Sequence, residues 1–169
     1  MAKPQRKNYF SINSLIQKGI EDVREYELPS GKILYRPISQ LEAEQAQSVL
    51  FDSITDPGTR EYLFTLAENN ELDKANELLD AANEETIEES EKSDDEIVQI
   101  PNNVNLGQLY NAMINHAIRV VYLAVSDFTD DFEEKDLIKL DGIRELSELI
   151  LKVSGQSKDT LEEVENFRK

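Results

Sequence analysis

Few residues in this chain could do chemistry, and each candidate can be tested against the spacing that its chemistry needs. The run Asp127-Phe-Thr-Asp130-Asp131-Phe-Glu133 groups four carboxylates within seven residues. Carboxylates so spaced hold calcium when the loop turns sharply around the ion. A loop of that kind starting at Asp127 needs Gly at its sixth position and Glu at its twelfth, where this sequence has Phe132 and Ile138. The run therefore reads as an acidic helix start, where carboxylates complement the helix dipole. His116 is the only histidine and stands one residue off an apolar stripe. No Asp or Glu lies three or four residues from it, so it lacks the partner that would make it a general base. It is expected to be a structural or half-exposed residue. The absence of Cys excludes a disulfide scaffold, a thiolate zinc site and a Cys nucleophile. No GxSxG, HExxH, Walker or GxGxxG pattern is present. Neighbouring carboxylates such as Glu162 and Glu163 read as a solvated helix face. No catalytic residue, metal or cofactor is expected, and an enzyme is not expected.

What remains is binding chemistry. The segment Pro57–Ala67 is short and unusually apolar. Tyr62, Leu63, Phe64 and Leu66 cannot share one face at 100° per residue. A protein-binding surface on these four residues is one reading. Packing of the segment between helices of its own domain is the other.

Several elements must position these residues. Residues 1–24 are polar and weakly patterned, and read as a mobile or partner-ordered arm. Residues 25–36 read as a β-hairpin: Tyr26 and Leu28 precede Pro29-Ser30-Gly31, and Ile33, Leu34 and Tyr35 follow. Ser39 and Glu42 form a capping box that opens a helix from Gln40 to about Ser53. Its expected apolar face is Leu41, Ala46, Val49, Leu50 and Ile54. Asp56 caps the next helix, with Pro57 at its first position. A hairpin turn at Asn69-Asn70 leads to a helix over Glu71–Ala82 with Leu72, Ala75, Leu78, Leu79 and Ala82 together. Residues 84–96 hold eight acidic residues and one Lys, and read as an exposed acidic linker. Ile97–Pro101 is expected to be a short edge strand.

Asn105 caps the longest expected helix, Leu106 to Val125. Its stripe is Leu106, Leu109, Tyr110, Met113, Ile114, Ala117, Val121 and Ala124, which makes it the central core helix. Asp141 is expected to open another helix with Ile143, Leu146, Leu149, Ile150 and Val153 on one face, stopped at Ser154-Gly155. Asp159 and Glu162 form a capping box for a last helix. The expected fold class is mainly α: one helical domain, residues 25–169, with a small N-terminal β-hairpin.

The chain has 169 residues and a formal net charge of −17. Residues 1–36 carry seven basic and four acidic side chains, a net +3, so the remainder carries −20. Such acidity argues against nucleic acid as a partner and against an anionic membrane surface. No run approaches the roughly 18 apolar residues of a membrane span, and no apolar signal region follows the N-terminus. A cytoplasmic protein is expected.

The segment Tyr26-Glu-Leu-Pro-Ser-Gly-Lys-Ile-Leu-Tyr-Arg-Pro-Ile resembles the opening of siphophage tail assembly chaperones, in which an "LPSG-K" hairpin feeds a strand with Arg and then a capped helix. The closing stretch, a helix ending at Ser154-Gly155 followed by Leu161-Glu-Glu-Val-Glu-Asn-Phe-Arg168, is similar in style. The resemblance covers roughly the first 35 residues after the arm and the last 30. It implies a non-enzymatic factor of a tailed virus or provirus, acting in the host cytoplasm. Such a factor binds the tape measure protein, keeps its apolar helices soluble and recruits tail tube subunits. Two alternatives stand beside it: a structural virion component of the tail or neck, and an acidic DNA mimic or adaptor. Self-association into a homo-oligomer is left open by the sequence.

Overall fold

In the computed structural model, residues 22–69, 71–85, 101–128 and 132–155 are described. They form strands β1 (Arg24–Leu28) and β2 (Gly31–Tyr35), and helices α1 (Gln40–Asp52), α2 (Pro57–Glu68) and α3 (Asp73–Glu85). Helix α4 (Leu106–Val125), a 3-10 helix (Glu134–Lys139) and helix α5 (Ile143–Val153) follow. The fold is mainly helical with one two-stranded antiparallel hairpin, as the sequence pattern predicts. Four expectations fall outside the described residues: the arm over residues 1–21, the acidic linker over 86–96, the edge strand over 97–100, and the helix opening at Asp159.

The hairpin pairs Arg24 with Tyr35 and Leu28 with Gly31 across the Pro29-Ser30 turn. Side chains alternate between its faces, so Leu28 and Tyr35 are buried while Tyr26 and Ile33 are half-buried on the same side. An isolated two-stranded hairpin is marginal in water. Here Arg36 fastens it to the helices. Its backbone N–H donates to the carbonyl oxygen of Ala124 at 3.0 Å. Its guanidinium donates to Glu42 (Nη2 to Oε1, 2.8 Å) and to Asp127 (Nε to Oδ2, 2.6 Å). The Glu42 hydrogen bond, more than any other contact, holds the guanidinium pKa above its ordinary value. Asp127, first of the carboxylate run, is thus engaged by an arginine.

Helix α4 is the spine. Its 20 residues span about 30 Å and are buried on several sides. Its first half packs with Leu50 and Ile54 of the α1 end, Leu63 and Leu66 of α2, and Leu78 and Leu79 of α3. Its second half packs with Tyr35, Ile38, Ala46, the 3-10 helix residue Leu137, and Leu146 and Ile150 of α5. One continuous helix therefore serves two apolar clusters.

Local signals set most boundaries. Both halves of the Ser39–Glu42 capping box are made. Asp56 and Asn105 cap α2 and α4 through their side chains. Five expectations need correction. Leu41 is not on the buried face of α1 but 65% exposed; the face turned to the core carries Ala46, fully buried, and Ala43, partly buried. Tyr110, expected in the buried stripe of α4, is 45% exposed. Helix α3 starts at Asp73 and runs through Glu85, so the first two residues of the acidic tract are helical. Gly142, not Asp141, is the N-cap residue of α5. It makes no side-chain cap and has φ of +83°, a conformation that a residue with Cβ resists. His116 is not off the packed face but on it, 5% exposed, which fits the structural and not the half-exposed of its two expected readings.

Candidate binding groove

Asn76 and Asp80 stand one turn apart on α3, and Arg144 and Glu148 stand one turn apart on α5. The two helices meet through these residues in two rungs. Asn76 Nδ2 donates to Glu148 Oε1 at 2.7 Å. Arg144 Nη1 and Nη2 donate to the two carboxylate oxygens of Asp80 at 2.9 and 3.2 Å. The fork-to-carboxylate geometry is the stronger of the two pairings.

A cavity of about 410 Å³ opens beside this clasp, with α1 as its far wall and α4 as its floor. The floor presents Met113, His116 and Ala117. The clasp leaves two polar atoms over beneath the wall. Asn76 Oδ1 and Arg144 Nε are both buried without a hydrogen-bond partner among the described residues. Burial pushes the Glu148 carboxyl above its ordinary value, against the hydrogen bond from Asn76 and the charge of Arg144. Burial alone lowers the His116 imidazole to about 4, so the ring is neutral at pH 7. Ser147, 4% exposed, adds a hydroxyl to the same lining.

The cavity continues outward. A second hollow of about 270 Å³ shares Glu44, Gln47 and Ala67 with it, and ends between Phe51 of α1 and Phe64 of α2. Those two rings lie 6.2 Å apart, tilted by 57°. The two hollows make one groove, apolar and aromatic at its outer end and polar at its inner end.

The four residues expected to bind a partner separate here. Leu63 is fully buried and Leu66 is 6% exposed, so both belong to the apolar cluster under α2. Tyr62 is half-buried, and burial raises its phenol pKa. Phe64, 53% exposed, forms the outer end of the groove. Sequence reasoning missed Asn76, Arg144, Glu148 and Ser147. Ser147 alone left a signal: it lies four residues after Ile143 and three before Ile150, on the buried side of α5. The others sit on polar helix faces, as solvated residues do.

Among the described residues, no cluster of three or more His, Asp or Glu side chains could hold a metal ion. No described helix is long and apolar enough to cross a membrane. The groove presents hydrogen-bonding groups in a half-apolar setting, which is the chemistry of recognition. No family model, curated protein or solved structure matches the chain.

Proposed function

We propose that this protein binds an amphipathic helical segment of a protein partner, and that it is a non-enzymatic tail assembly chaperone whose partner is the tape measure protein of a tailed virus. The observation that carries the binding part is the groove between α1 and α2, open at Phe51 and Phe64. A helix laid in such a groove buries its apolar side on the rings and keeps its polar side in water. The assignment to tail assembly rests on the resemblance of the Leu28-Pro-Ser-Gly-Lys32 hairpin and the capped helix after it. The net charge of −17 supports the reading as well, because a highly charged carrier keeps an aggregation-prone client dissolved. Recruitment of tail tube subunits belongs to the same reading.

The test is co-expression with a candidate tape measure protein, followed by affinity capture. The native chain is expected to hold the client in the soluble fraction. Phe64→Asp is expected to cut capture at least tenfold with little loss of fold stability, since the side chain is already half in water. Ile138→Asp, on the exposed side of the 3-10 helix, is the control that retains capture. A soluble native chain that captures no client sinks the reading. Recovery of the protein in purified particles would make it a structural component instead.

A further inference from the structure

The groove runs the length of one helix. Gln40, Ala43, Gln47 and Phe51 line it at spacings of three and four residues, so it follows α1 for about 17 Å. Its outer hollow is lined by Glu44 and Glu68 and by no basic residue. Phe64 is 53% exposed there.

The end of α5 delivers the chain to the inner mouth of this groove. Leu151 and Lys152 line the cavity in the last turn of the helix. Ser154 Oγ accepts from the backbone N–H of Ile38 at 2.9 Å, which fixes this end of α5 beside the start of α1. Gly155 follows with φ of +72°, the conformation in which a chain turns away at a helix C-terminus. Residues 156–169 therefore continue from beside two lining residues, Gln40 and Lys152.

The sequence of this segment suits the groove. Asp159 and Glu162 are a capping-box pair. In the helix that they open, Leu161, Val164 and Phe167 fall within an arc of about 120°. Arg168 falls inside that arc, and Glu162, Glu163 and Glu165 fall outside it. A helix this short is marginal in water and needs an apolar surface to lie on. Nine helical residues, 160–168, span about 14 Å, enough with the linking residues to reach Phe51. Two other segments suit the groove less well. The acidic tract would set like charge against Glu44 and Glu68. The chain before Asp22 joins the hairpin, no residue of which lines either hollow.

We propose that residues 159–168 form a helix that lies in the groove of their own chain, with Phe167 on Phe51 and Phe64, and Arg168 beside Glu44 and Glu68. The helix runs from the inner mouth outward, antiparallel to α5. This docking rests on the groove and the exit point alone. That a client must displace the helix rests on the binding function proposed above. The rings are then kept from water when no client is present, and the groove is yielded only to a segment that binds better.

The two claims have separate tests. The chain has no Cys, so Lys169→Cys places a single nitroxide label on the full-length protein. Amide resonances are compared with the label oxidised and reduced. Strong broadening is expected at Phe51, Phe64 and Glu68, and none at Leu34 on the exposed side of the hairpin. Val164→Asp and, separately, Leu161→Asp are expected to abolish the broadening while hairpin resonances stay in place. No broadening in the native sequence overturns the docking. Mixing an isotope-labelled chain without nitroxide and a nitroxide-labelled chain without isotope tests for exchange between molecules. Equal broadening in that mixture overturns the proposal by assigning the groove to a second copy. For displacement, Val164→Asp is expected to strengthen client capture about three- to tenfold, the gain when a groove open roughly a tenth to a third of the time is opened fully. Unchanged capture overturns displacement. Failed capture by the native chain and by Val164→Asp alike overturns the binding function, while the broadening still decides the docking.

Discussion

At the scale of single residues, His116 has a consequence that any unfolding experiment can read. Burial holds its pKa at about 4, against 6.5 for an exposed ring. Between those two values the unfolded chain takes up a proton that the folded chain refuses. Stability is therefore present above about pH 6.5 and is lost as pH falls toward 4, by roughly 3 kcal/mol in all. Glu148 works with the opposite sign. Its raised carboxyl pKa stabilises the fold below the ordinary value and ceases to do so as pH rises through the folded value. Glu42 acts in a lower window. Burial raises its pKa, hydrogen bonds from Arg36 and Ser39 more than offset this, and its contribution disappears below the ordinary carboxylate range. Because the chain has one histidine, His116→Leu is expected to remove most of the decline between pH 6.5 and 4.5. Urea unfolding midpoints across that range check it, and an unchanged decline in the variant would refute the assignment. The sequence identified His116 as a residue without a catalytic partner but did not show its burial. Helical periodicity places a residue relative to its own helix. It does not say how many neighbours surround that helix, and α4 is enclosed on several sides.

Elements show the same division between what is local and what is not. Each cap was legible because it spans three residues: Ser39 with Glu42, Asp56 with Thr59, Asn105 with Gln108. How two caps lock together was not legible. Thr59, fully buried, donates to Asp56 Oδ2 and accepts from the backbone N–H of Asn105 at 2.7 Å. Gln108 Oε1 in turn accepts from the backbone N–H groups of Thr55 and Asp56. The N-termini of α2 and α4 thus satisfy one another's backbone groups. Gly58 is part of this joint, since a Cβ there would lie 2.1 Å from the carbonyl oxygen of Asn103. Gly107, in the first turn of α4, meets only Asn105 Oδ1 at 3.4 Å. Gly58→Ala is expected to destabilise by about 2 kcal/mol or more through displaced backbone. Gly107→Ala is expected to be neutral or to stabilise by up to about 1 kcal/mol, because Ala is the better helix former. Denaturant unfolding of the pair checks this. Equal effects would mean that the 101–105 loop yields freely.

For the whole molecule, the sequence disclosed the fold class and the central helix but not the groove. Its walls are joined by contacts 64 and 72 residues apart, Arg144 with Asp80 and Asn76 with Glu148. No pattern within one helix encodes such a pairing. The net charge of −17 acts at this scale too. Four of the nine ion pairs among the described residues are exposed at both partners, Lys135–Glu133 and Lys32–Glu25 among them, and such pairs contribute little. Self-repulsion therefore outweighs surface pairing. Raising NaCl from about 10 to 150 mM shortens the screening length from roughly 30 to 8 Å, and Tm is expected to rise by about 1–4 °C. A fall in Tm would show that the ion pairs outweigh repulsion.

The joint between Thr59 and Asn105 also bears on how this protein can vary between lineages. It ties together two points 46 residues apart, so the chain on either side of the acidic tract is held in register by hydrogen bonds from backbone N–H groups to side chains. Lengthening the tract leaves those bonds untouched. Insertions and deletions should therefore accumulate between residues 86 and 100, while Asp56, Gly58, Thr59, Asn105 and Gln108 change together or not at all.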